Sequence, residues 1–87
     1  MIHVLIDLAA DHPYHAATIN ALRDASTYLE LTPEIRVVRT DEVGDIDAIV
    51  RPGNGVVIGP GSPYRDQEAA HTVVRAARER GVPLVGT

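Results

Sequence analysis

Hydrophobic residues along the chain follow two rhythms, short continuous runs and longer stretches spaced by three and four. Ile2 to Leu8 is a nearly continuous apolar run, the form taken by a parallel strand covered on both faces. Asp11-His-Pro-Tyr14 breaks it. From His15 to Leu31, the residues Thr18, Ala21, Leu22, Ala25, Tyr28 and Leu29 recur at helical spacing and predict one apolar helix face, which Pro33 closes. Ile35 to Arg39 reads as a second strand. Between Asp41 and Asn54, Ile46, Ile49 and Val50 allow one or two helical turns ended by Pro52-Gly53. Gly55 to Ile58 is a third strand bounded by glycine. Ala70, Val73, Val74 and Ala77 then mark a helix face that Gly81 and Pro83 stop, before a fourth strand over Val82 to Val85.

Strand and helix alternate without a linker or repeat. This order predicts an α/β domain, a flavodoxin-like parallel sheet of about four strands with helices on both faces. Residues 1–87 form a single domain, read as incomplete. In such sheets ligands bind beyond the carboxyl ends of the strands, where strand order reverses. Three segments are expected to converge there: Asp7 to Tyr14, Gly59 to Arg65, and Thr87.

Composition narrows the chemistry. With 45% hydrophobic and 23% charged residues the chain is globular, and its 87 residues bury only roughly 60 to 65% of the unfolded surface. A net charge of −4 argues against nucleic acid as a partner, and the basic cluster Arg75, Arg78 and Arg80 reads as a solvated helix face. All 8 basic residues are arginine, which removes Schiff-base and P-loop lysine mechanisms, and the lack of cysteine removes a thiol nucleophile from the chain. No apolar run is long enough to span a membrane, and Met1-Ile-His-Val lacks a signal-peptide pattern, so the cytoplasm is the expected location.

The loop Gly59-Pro-Gly-Ser-Pro-Tyr-Arg65 carries the strongest chemical signal. Two glycines leave the backbone bare, and Ser62-Pro63 can serve as N-cap and first residue of the next helix. Unpaired N–H groups there would hold an oxyanion, carboxylate or phosphate. Pro63 cannot donate, so the candidate donors are the amides of Gly59, Gly61, Ser62 and Tyr64. A tight strand-to-helix turn without a ligand is the competing reading. The dinucleotide, P-loop and DxDxT signatures are absent, and Asp7 either positions a ligand or is solvated or capping. His3, His12, His15 and His71 show no recognised metal-ligand spacing, so neither a metal nor a cofactor is expected. Ser62 lacks the GxSxG context of a nucleophile.

Gly59-Pro-Gly-Ser-Pro63, followed by a helix and Gly81-Val-Pro-Leu-Val-Gly86, resembles the first part of a class I glutamine amidotransferase domain. The longer runs through Arg65 and from Ala76 to Thr87 are most similar to bacterial proteins related to the C-terminal, amidotransferase region of CTP synthase. The resemblance is specific over residues 55–87 and loose before that. It implies a thiolate attacking the side-chain amide of glutamine, with the loop stabilising the developing oxyanion. One preorganised donor of this kind is worth roughly 3 to 4 kcal/mol. Carried over, Gly59 or Gly61 offers the amide, Ser62 stands next, and Tyr64 and Arg65 border the glutamine pocket.

Two departures accompany the likeness. The family's glycine at the end of the first strand is replaced by Ile6-Asp7, and the family continues from the Gly-Thr equivalent into Cys-Gly-Gly and a later His-x-Glu pair. The expectation is that the chain is truncated just before the nucleophile, through a genuine stop, a UGA codon for selenocysteine, or as part of a longer protein. On that reading it is inactive by itself. Glutamine or another small anion is the expected ligand, and a second copy or a missing C-terminal half the expected partner. The alternative is a non-catalytic α/β module that binds a small anion or pairs with another subunit.

Overall fold

A computed structural model describes residues 1–9, 11–59 and 64–86. Four strands, β1 (Ile2–Leu5), β2 (Ile35–Val38), β3 (Gly55–Ile58) and β4 (Leu84–Gly86), form one sheet in the order β2-β1-β3-β4. Every pairing is parallel. The helices are α1 (Pro13–Tyr28), α2 (Ile46–Ile49) and α3 (Gln67–Arg80), with a single 3₁₀ turn, η1 (Thr40–Glu42), after β2. This is the flavodoxin-like α/β arrangement that the alternation of runs predicts.

Strand alternation divides the core between the two faces of the sheet. Val4 and Ile6 pack with Ile19 of α1, joined by Ile2, Leu22, Ile35 and Val57. Leu5, Val56 and Ile58 face the other way, onto Ile49, Val50, Val73, Ala77 and Val82. The strand order reverses between β1 and β3, the central pair, which places the switch point at Leu5 and Ile58.

The two long helices show where periodicity succeeds and where it misleads. Helix α3 presents Ala70, Val73 and Ala77 to the core, as expected, and ends on Gly81 at φ 68°, a left-handed cap that glycine adopts without strain. Helix α1 buries only Ile19, with His15, Leu22 and Ser26 half-covered along the same stripe. The expected face is turned about a quarter of the way round from this stripe, at 100° per residue. Ala21, Ala25 and Leu29 are exposed, and Tyr28 is 87% exposed. The reason is that one helix covers this side of a four-stranded sheet. Ala17, Ala21 and Leu22 instead form the wall of an open apolar groove completed by Val57 and Val85.

The start of α3 also differs. Its N-cap is Asp66, whose Oδ1 accepts the Ala69 amide at 2.9 Å, so the helix begins at Gln67 and not at Pro63. Ser62 and Pro63 lie outside the described residues.

Candidate functional site

The site grows from the parallel register of β1 and β2. Leu5 pairs with Val38, so the residues two further along each chain, Asp7 and Thr40, reach the carboxyl edge side by side. Asp7 Oδ1 accepts the Thr40 amide at 2.9 Å, and the Thr40 hydroxyl lies 2.8 Å from Oδ2 and 3.1 Å from Oδ1. From the far side of the switch point, the Arg65 amide donates to Asp7 Oδ2 at 2.7 Å. Thr40 Oγ1 in turn accepts the Asp66 amide at 2.9 Å. One carboxylate therefore joins the ends of β1 and β2 to the entry of α3.

Thr40 is 1% exposed, and its hydroxyl and amide are both satisfied in this network. Burial by itself pushes the Asp7 carboxyl up. The amides of Thr40 and Arg65, the Thr40 hydroxyl and the Arg65 charge outweigh it and hold the carboxyl below its ordinary range. Asp7 is thus a charged brace whose acceptor positions are directed at the protein.

The Gly59 loop leaves the sheet under tight constraint. The Gly59 amide donates to Leu5 O at 2.7 Å and continues the β1–β3 ladder. That donor is committed to the sheet, so Gly59 does not supply a free oxyanion amide. Its contribution is steric. A Cβ there would lie 2.9 Å from Ile6 Cδ1, 3.0 Å from Cγ1 and 3.1 Å from Cβ, closer than packed carbon atoms approach. Ile6, just past the end of β1, is the residue that demands it.

Tyr64 and Arg65 close the loop. Tyr64 is half-buried against the α3-side core, and its hydroxyl donates to Gly59 O at 3.2 Å. Arg65 is exposed, and its amide is the group held by Asp7. The structure brings Asp7, Gly59, Tyr64 and Arg65 together at the switch point; Gly61, Ser62 and Thr87 fall outside the described residues. The first turn of α3 is not a free anion site, because the carboxylate of Asp66 already occupies it.

The histidines are dispersed. His12 Nδ1 accepts the Tyr14 amide and caps α1, His71 sits beside Gln67 on α3, and His3 is buried in β1. Among the described residues no group of three His, Cys, Asp or Glu side chains gathers to hold a metal. No helix among them is long and apolar enough to cross a membrane. Thr40 is the site residue that sequence reasoning missed. Its only signal is its place two residues past a strand, in register with Asp7.

No family model matches the chain. No solved structure matches it significantly. A CTP synthase of Thermomicrobium roseum is 36% identical to it over 76 residues, which are 86% of this chain and 14% of that protein. Over most of its length the chain is therefore similar to a short segment of a CTP synthase.

Proposed function

We propose that these residues form the oxyanion-loop portion of a glutamine amidotransferase-like, CTP synthase-related domain, with Gly61 and Ser62 as the amide donors. The observation that carries this reading is the anchoring of the loop at both ends. The Gly59 amide fixes its start to β1, and Asp7 fixes its end through the Arg65 amide. Oxyanion stabilisation calls for donors fixed before the ligand arrives, and anchors on both sides of a loop at the switch point are what such a loop needs. The likeness to a CTP synthase segment adds support from an independent source.

The chemistry would proceed as follows. A nucleophile attacks the glutamine side-chain carbonyl, the oxygen takes up negative charge, and the loop amides receive it. Tyr64 acts from beneath, tying the Gly59 carbonyl and so fixing the peptide that enters the loop. With no cysteine in its 87 residues, the chain holds no thiol for the attack and releases no ammonia from glutamine by itself. That same fact favours a second reading, a non-catalytic module whose loop holds a small anion.

Amide NMR of the chain separates the two. L-Glutamine should shift the Gly61 and Ser62 amide signals saturably while the Gly59 amide, committed to Leu5, stays in place. Equal shifts from acetate and phosphate would favour the anion-binding module. An unmoved loop with all three ligands would remove both readings.

A further inference from the structure

A second concave site lies on the α2 side of the sheet, away from the Gly59 loop. A crevice of about 350 Å³ opens between β2, His3 and the segment running from η1 into α2. Val38, Val43, Ala48 and Ile49 give it apolar walls, and its polar groups are His3, Arg36, Glu42 and Asp45. Its volume falls within the range of small-molecule sites, about 300 to 1,000 Å³.

Three observations point to a ligand. His3 is 5% exposed, and its Nδ1 is buried with no hydrogen-bond partner among the described residues. Buried polar side-chain atoms in folded proteins are nearly always partnered; this nitrogen has almost no accessible surface of its own, so it meets a ligand only if the His3 ring turns toward the crevice it lines. Arg36 stands directly beside His3 in the strand register, and its guanidinium makes no ion pair among the described residues. Glu42 is likewise unpaired there, while Asp45 uses only Oδ1, to cap α2 through the Asp47 amide.

The charges select the class of ligand. A bare anion would meet Arg36 but also two carboxylates, and a bare cation would meet the carboxylates but also Arg36. A molecule carrying both charges satisfies each end. We propose that this crevice binds a small zwitterion of amino-acid type, its carboxylate on Arg36 and His3 and its ammonium group on Glu42 and Asp45. Arg36 supplies a planar fork suited to a carboxylate, and the His3 imidazole, once turned toward the crevice, adds one directional contact.

Free glycine is the probe, because it has both charges and no side-chain amide, so its binding is independent of the amidotransferase reading. In ¹H–¹³C NMR of the full chain, glycine should move the His3 ring signal saturably, while the ring signals of His12, His15 and His71 stay in place. Acetate and methylammonium, each offering one charge, should bind at least ten-fold more weakly. Arg36→Gln, at an exposed position, should weaken glycine binding at least ten-fold, as should Glu42→Gln, with thermal unfolding of each variant measured alongside. The proposal is overturned if glycine leaves the His3 signal unmoved, if acetate moves it equally, or if both variants bind glycine as the parent chain does.

Discussion

His3 and Asp7 stand four residues apart along one strand and its extension, and the chain treats them in opposite ways. Asp7 lies past the end of the ladder, where the amides of Thr40 and Arg65 have no strand partner, and it collects both together with the Thr40 hydroxyl. His3 lies inside the ladder, where neighbouring backbone groups are already paired, and its Nδ1 finds no partner among the described residues. Polar side chains on a parallel sheet are therefore readily satisfied at its carboxyl edge and poorly satisfied in its interior. The same rule explains why ligand chemistry concentrates at that edge.

The sharpest way to break the comparison is to make Asp7 as unpartnered as His3. Asp7→Ala strands the Arg65 and Thr40 amides and the buried Thr40 hydroxyl, and should lower stability by about 3 kcal/mol in urea unfolding. Thr40→Val removes the hydroxyl alone and should cost less, about 2 kcal/mol. Because both act on one network, the double variant should fall short of the sum by 1 kcal/mol or more, on the order expected for coupled neighbours. Strict additivity would mean that the carboxylate and hydroxyl do not act as a unit.

Gly59→Ala tests the steric half of the same edge. The added methyl meets the Cβ, Cγ1 and Cδ1 atoms of Ile6, and the expected loss is about 2 kcal/mol. In an Ile6→Ala background, where two of the three crowding atoms are gone, the added methyl should be tolerated better. An equal loss in both backgrounds would place the strain elsewhere.

Acid separates the two polar residues by where their effects begin. Burial first, then Arg36 and the N-terminal charge, lower the His3 pKa from its ordinary 6.5. The unfolded chain then takes up a proton that the folded chain refuses, so His3 adds stability above pH 6.5 that is lost as pH falls toward its folded value. Asp7, held below its ordinary 3.8, contributes stability that is intact above that pH and lost as pH falls through its lower folded value. His3→Phe should flatten the stability profile just below pH 6.5 and leave the more acidic fall in place, and Asp7→Asn should do the reverse. Thermal unfolding followed across both windows decides it.

How much of this was legible beforehand depends on whether a feature is local or paired. The strands were readable because parallel strands covered on both faces are nearly continuous apolar runs, as Gly55 to Ile58 is and as Ile2 to Leu5 is but for His3. The face of α1 was misplaced because its apolar residues form a stripe wider than the sheet covers, and Ala21 and Leu22 line an open groove instead. The start of α3 was misplaced because Ser62-Pro63 and Asp66 both carry cap chemistry, and only the structure shows Asp66 bonding Ala69. The Asp7–Thr40 pair was invisible, since residues 33 apart meet only once the register of β1 and β2 is known. At the Gly59 loop, the commitment of the first amide to Leu5 was not legible, because it depends on the pairing of β1 with β3.

The smallest expected effect sharpens the contrast between edge and surface. Arg80 of α3 reaches Asp47 of α2 in an ion pair whose side chains are 47% and 72% exposed. Water and salt screen such a pair, and two long side chains lose freedom in forming it, so its net worth is about 0 to 1 kcal/mol. Arg80→Gln keeps the three-carbon stem and a similar helix propensity while removing the charge. It should shift the urea midpoint barely above error in dilute buffer and not at all at high salt. A salt-insensitive loss approaching that of Thr40→Val would mean that α2 is held to α3 by this pair and not by Ile49, Val50 and Val73 packed beneath it.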